Sequence, residues 1–109
     1  MAGKFEYSVR KNGKHYFNLK AGNGQVILTS QGYANRAGCM NGIESVRKNG
    51  VRDAMFEKKV SSDGKAYFVL KAANGEIIGT SQRYASARSR DNGIESVKRH
   101  AGEARPAEG

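Results

Sequence analysis

Residues 41–46 read NGIESV, and residues 92–97 read NGIESV again. The match extends well beyond these letters. Phe5 aligns with Phe56, Tyr16-Phe17 with Tyr67-Phe68 and Thr29-Ser30-Gln31 with Thr80-Ser81-Gln82, each pair 51 positions apart and without a gap. Just over half of the positions in 5–50 are identical to their counterparts in 56–101, so the chain holds two copies of one structural unit. A unit this small buries too little apolar surface to be stable alone. The expectation is one domain over 1–109, a dimer within a single chain, with repeat 1 at 5–50 and repeat 2 at 56–101 sharing a core.

Within a copy the periodicity changes once. FEYSVRK places Phe5, Tyr7 and Val9 on one side and Glu6, Ser8 and Arg10 on the other, the period-2 pattern of a half-buried strand. Asn12-Gly13 and Asp63-Gly64 are the pairs favoured in a type I′ hairpin, because both residues accept positive φ. HYFNLKA returns with Phe17 and Leu19 toward the core and Tyr16 and Lys20 away from it. The glycine-bearing turns at 22–24 and 73–75 then lead into QVILT and EIIGT, a third strand in each copy.

After Thr29 the pattern becomes helical, with Asn35 and Ser86 as N-caps and helices of about 13 to 15 residues ending near Asn49 and Ala101. Cys39, Gly42, Ile43, Val46 and Gly50 form the stripe that faces the sheet. Gly42 and Gly93 forgo about 1 kcal/mol of helix propensity relative to alanine, which is explained if the missing side chain lets helix and sheet approach closely. Val51 to Met55 reads as an extended joint between the copies, and 102–109, with the only proline and no apolar periodicity, as a disordered tail. The fold class is α+β: two tandem β3-α(-β) repeats, related by a pseudo-twofold axis, with a shared antiparallel sheet and two helices packed against it.

The Phe-Glu that opens each copy, the YF-LKA-NG stretch, the I-TSQ-YA run and NGIESV together resemble the YegP-like family of small bacterial proteins in its tandem form, over about residues 3–101. The resemblance implies a β3-αβ unit whose two copies assemble into one sheet by exchanging strands. It brings no reaction, ligand or catalytic residue.

Nucleophilic catalysis needs a nucleophile beside a base. Cys39 aligns with Arg90, His15 with Ala66 and His100 with Asn49, so none belongs to a duplicated site. Cys39 reads as a small apolar residue on the inner helix face, and His100 as a polar residue suited to the helix C-terminus. No pair of His, Cys, Asp or Glu stands at metal-ligand spacing with a second pair elsewhere. No catalytic residue, metal or cofactor is expected, and the chain reads as a non-enzyme. Glu44 and Glu95 precede Arg47 and Lys98 by three positions, which ordinary helix-surface pairing explains.

Two constellations remain. Thr29, Ser30, Gln31 and Tyr33 recur as Thr80, Ser81, Gln82 and Tyr84. Their plain reading is that hydroxyls and amides satisfy backbone groups where strand gives way to helix, and their functional reading is a small-ligand or peptide site at the pseudo-twofold axis. On the outward sheet face, alternation groups Arg10, Tyr16 and Lys20 in copy 1 with Lys59, Tyr67 and Lys71 in copy 2. Rings that stack bases beside cations that hold phosphates make a platform for single-stranded nucleic acid or another polyanion, although lysine stems also cover ordinary solvated sheets.

The net charge of +9 favours such a partner, and copy 1 carries most of it: residues 1–50 hold eight basic and two acidic residues, 51–109 eleven and eight. The alternative function is a protein-interaction or assembly module acting by strand or sheet-edge pairing. A single cysteine fits a reducing compartment, and FEYSVRK follows Lys4 with no apolar signal core, so a cytoplasmic, monomeric protein without a membrane partner is expected.

Overall fold

The computed structural model describes residues 3–108. Copy 1 supplies β1 (Lys4–Val9), β2 (His15–Lys20), β3 (Val26–Thr29) and α1 (Arg36–Asn49); copy 2 supplies β4 (Phe56–Val60), β5 (Ala66–Lys71), β6 (Ile77–Thr80) and α2 (Ala87–His100), and β7 (Arg105–Glu108) closes the chain. All seven strands form one sheet in the order β4-β5-β6-β3-β2-β1-β7. The two meanders meet at β3 and β6, where Thr29 pairs with Thr80, its own counterpart in the other copy. The pseudo-twofold axis passes through this seam.

Both helices lie on one face over a continuous core that includes Phe5, Phe17, Leu19, Leu28, Ile43 and Val46 from copy 1 and Phe68, Leu70, Ile94 and Val97 from copy 2. Each helix also crosses the seam: α1 packs on β2 and reaches β6, and α2 packs on β5 and reaches β3. His100 ties the copies again. Its Nδ1 stands 2.8 Å from the Ser96 carbonyl and its Nε2 accepts from the Gly22 N–H at 3.3 Å, so the ring joins the end of α2 to the β2–β3 turn of copy 1. His100 is thus the polar residue at the end of α2 that the sequence indicates, and it adds a specific cross-copy contact.

Three local expectations change. The hairpins are not type I′. Gly13, Gly24, Gly64 and Gly75 have φ of 79°, 85°, 84° and 89°, while no other described residue type has positive φ, so Asn12 and Asp63 stay in ordinary backbone. In the first hairpin the Gly13 N–H donates to the Arg10 carbonyl and the Arg10 N–H to the Lys14 carbonyl, a type I turn closed by a left-handed glycine. Asn12 holds that shape from its side chain, accepting from Lys14 N–H at 2.9 Å. The joint is not extended either, since Asp53–Met55 forms a short 3-10 turn.

The expected tail at 102–109 instead contains β7. It pairs in parallel with β1, Arg105 opposite Lys4 and Pro106 opposite Phe5, so the shared sheet is antiparallel at every junction but this one. Ala101 and Ala104 are fully buried and anchor the segment, and an edge strand is where a proline is tolerated. Tertiary packing, not local pattern, makes this strand.

The N-caps are Asn35, which accepts from Gly38 N–H, and Ser86, which accepts from Ser89 N–H. The glycine in NGIESV has a definite neighbour. A Cβ on Gly42 would stand 2.7 Å from Tyr33 Cζ, and one on Gly93 would stand 2.8 Å from Tyr84 Cζ, because those rings lie flat between helix and sheet and stack on Phe17 and Phe68.

One pair of residues breaks the repeat where it must. Leu28 aligns with Gly79, and both face the core beside the seam. A Cβ on Gly79 would stand 2.6 Å from Leu28 Cγ, so with Leu28 in place position 79 has no room for a side chain. Overpacking by Gly79→Leu should cost about 3 kcal/mol and the cavity left by Leu28→Gly about 3 to 5 kcal/mol. The double exchange should recover about 2 kcal/mol relative to the sum of the two, measured as a double-mutant cycle by denaturant unfolding.

Candidate polyanion-binding face

The strand registers define the sheet's second face. Glu6 lies opposite Asn18 and Ser8 opposite Tyr16 on β1 and β2, and Glu57 lies opposite Val69 and Lys59 opposite Tyr67 on β4 and β5. Among the described residues neither helix covers this face. Tyr16, Lys20, Lys59, Tyr67 and Lys71 all sit on it, as alternation requires. Arg10 follows β1 in the turn and folds back, its guanidinium carbon 3.9 Å above the centroid of the Tyr16 ring. Tyr16 is further held by Asn12, whose amide donates to its hydroxyl at 3.0 Å.

The face is less uniformly basic than its lysines suggest. Lys20 Nζ is 3.0 Å from Glu6 Oε1, and Lys71 Nζ is 2.9 Å from Glu57 Oε1. Glu57 Oε1 is enclosed without an aligned hydrogen-bond partner, so the ammonium balances its charge directly. Lys4 and Lys59 approach the same two carboxylates at 3.5 Å. Lys20 therefore holds the Glu6 carboxyl below the usual range, and Lys71 does the same for Glu57. Sequence reasoning missed these carboxylates as part of the face. The signal was present, since Glu6 and Glu57 recur at the repeat spacing and a hairpin register puts each diagonally across from a lysine.

The copies differ at one corner. Around the first hairpin, Arg10, Lys11 and Lys14 form no ion pair among the described residues. Lys14 Cδ and the Tyr16 hydroxyl both lie within 3 Å of the point where a Gly32 side chain would begin, so the Lys14 stem runs close to the hydroxyl end of the ring that Arg10 covers. In copy 2 the corresponding positions are Ser61, Ser62, Asp63 and Lys65, and Arg83 stands in place of Gly32 and acts on the Asp63 carboxylate, so this corner sets one acid against its bases.

The Thr-Ser-Gln-Tyr clusters do not converge on one site. Ser30 accepts from Phe17 N–H at 2.9 Å and donates to the Gln31 carbonyl at 2.8 Å, and Ser81 does the same with Phe68 N–H and the Gln82 carbonyl. Both serines are buried inside the sheet. Thr29 donates to Asn18 Oδ1 at 2.8 Å and faces its partner Thr80 on the open side of the seam. Tyr33 and Tyr84 lie beneath the helices, their main chains bridging to His15 and Ala66, and burial pushes the Tyr33 hydroxyl above its ordinary value. Gln82 and Tyr84 line a cavity of about 170 Å³ between α2 and the β2–β3 turn, away from the open face. Cys39 is buried against the core, and that burial raises its thiol. Among the described residues no helix is long and apolar enough to cross a membrane.

A family profile described as a domain of unknown function, DUF1508, matches residues 11–57 and again 61–107. The chain belongs to this family, in two-copy form. The UPF0339 protein in the ptx operon 5′ region of Stutzerimonas stutzeri is 54% identical over 108 residues, 99% of this chain and 97% of that one. The solution NMR structure of a UPF0339 protein from Shewanella oneidensis superposes with a TM-score of 0.92 at 49% identity, covering 99% of this chain and 92% of that one. That of YegP from Escherichia coli, titled a protein of unknown function, gives 0.93 at 48%, with 99% and 93% covered. The resemblance to the YegP-like family and the α+β tandem architecture thus hold, while these names describe a family and not a reaction.

The Glu6 and Glu57 pairs predict an acid limb. Their folded-state values lie below the ordinary 4.5, so the stabilisation is complete above that value and disappears as pH falls through the lowered one. The double variant Glu6→Gln, Glu57→Gln should lose less stability than the parent between pH 5 and pH 3, read from thermal unfolding across that range.

Proposed function

We propose that this DUF1508 protein is a non-enzymatic binding module whose open sheet face takes a polyanion, with single-stranded nucleic acid the favoured member of that class. The observation that carries the reading is the corner at the first hairpin, where Arg10 stacks on Tyr16, the Lys14 stem lies near the Tyr16 hydroxyl, and neither cation pairs with a carboxylate among the described residues. A ring beside unpaired cations offers a base a surface to stack on and its phosphates a counter-charge. The remaining lysines of the face act differently. Lys20 and Lys71 are engaged with Glu6 and Glu57, so they contribute shape and a damped field, and binding is centred on copy 1. The charge division along the chain agrees with this placement. In the cytoplasm, where a lone thiol stays reduced, nucleic acid is an abundant polyanion.

Titration with a short single-stranded DNA at two salt concentrations tests the reading. Affinity should fall with salt, Tyr16→Ala should weaken binding about tenfold, and Arg10→Gln should reduce the salt slope by about one. Lys65→Gln, at the corresponding corner of copy 2, should change little. Salt-independent binding, or equal losses at the two corners, would overturn the assignment.

A further inference from the structure

We propose that the outer edge of β4 is a docking site for an extended segment of another protein, which adds to the sheet as a parallel strand. The inference is independent of the open face and starts from the internal symmetry. In copy 1 the outer edge of β1 is covered by β7, which comes from the end of copy 2. The symmetric cover for β4 would be the strand following α1. That stretch of chain is already used, because α1 leads through Asp53–Met55 directly into β4 itself. The fold thus contains two acceptor edges and one donor strand. Among the described residues nothing pairs with the outer side of β4.

Where β7 would have its counterpart there is a groove of about 270 Å³, lined by Asp53, Phe56, Lys58, Asp91, Ile94 and Glu95. Its floor repeats the floor under β7: Phe56 and Ile94 correspond to Phe5 and Ile43, and Pro106 lies opposite Phe5 in the occupied edge. The walls differ. Where copy 1 has Tyr7 and Met40 packed against the core, copy 2 has Lys58 and Asp91, paired at 3.3 Å. The carboxylates form the outer layer of the rim. Asp53 and Glu95 are 79% and 61% exposed, while Lys98, which bridges them at 2.8 and 3.3 Å, is 25% exposed beneath. These groups do not converge as metal ligands do among the described residues.

The occupant follows from this arrangement. A second copy cannot fill the edge with its C-terminal strand, because each copy brings one donor and already uses it on its own β1. Edge-to-edge pairing of two β4 strands about their centre would set Lys58 against Lys58, the way natural edges resist self-association. The fitting partner is a foreign segment with a small apolar residue above Phe56 and Ile94 and a cation toward Asp53 and Glu95. Backbone hydrogen bonds supply the affinity and these two positions the specificity.

The test uses the intact, isotope-labelled chain and two synthetic peptides. One copies residues 102–109; the other carries Ala104→Lys, which the register of β7 would place opposite Ala54 and beside Asp53. Saturable amide shifts are expected along Phe56–Val60 and at Ile94, with the lysine peptide binding about threefold more tightly. That advantage should vanish in the Asp53→Asn, Glu95→Gln chain, and added heparin should not compete. The proposal is overturned if β4 stays silent at millimolar peptide or if a scrambled peptide shifts it equally. Shifts along Lys4–Val9 would mean displacement of β7, and β4 shifts that depend on protein concentration alone would mean a second copy at the edge. Either result also overturns it.

Discussion

Two like surfaces meeting about a twofold axis place identical side chains against one another, and at the β3–β6 seam two leucines cannot both fit. The structure resolves this by carrying Leu28 in one copy and Gly79 in the other. Everything that makes the chain one domain passes through that seam. It joins two three-stranded meanders into a single sheet, lets α1 reach β6 and α2 reach β3, and places Thr29 beside Thr80 on the open side. His100 and β7 then fasten the end of copy 2 onto copy 1. Neither copy keeps its own core to itself.

Most of the fold was legible because it is local. Alternation in FEYSVRK and HYFNLKA, caps at Asn35 and Ser86, and the glycine stripe of NGIESV each reflect a few neighbouring residues, and these readings agree with the structure except at Val9, which lies exposed at the end of β1 rather than in the core. Features that depend on distant partners were not legible. β7 has no strand pattern of its own and exists because β1 offers an edge and Ala104 a buried anchor. His100 reads as an ordinary helix-end residue until the Gly22 amide is placed beside it. The turns went astray for a subtler reason: Asn-Gly suits type I′, but Asn12 can equally hold a type I turn through its side chain and leave the positive φ to Gly13.

The duplication also separates scaffold from site. What the copies hold in common is largely absorbed by folding: Ser30 and Ser81 satisfy strand amides, Tyr33 and Tyr84 fill the space left by Gly42 and Gly93, and Glu6 and Glu57 neutralise Lys20 and Lys71. The candidate platform was legible as a face, but its most repeated cations are the ones already engaged. The departures from symmetry are more informative. The first hairpin gathers Arg10, Lys11 and Lys14 without an acid where copy 2 sets Asp63 against Lys65 and Arg83, and the edge of β4 lacks the strand that covers β1. Both asymmetries lie on the surface and leave a chemical group or a backbone edge unanswered.

The central claim is that the two copies are one cooperative unit, and native-state amide hydrogen exchange tests it most directly. Because the seam, the crossing helices and β7 couple the halves, the slowest amides of β2 and β5 should exchange through the same global opening, with equal free energies and equal denaturant dependence. If the amides of one copy opened at a distinctly lower free energy while the other stayed protected, the halves would be separate domains and the account of a shared core would be contradicted.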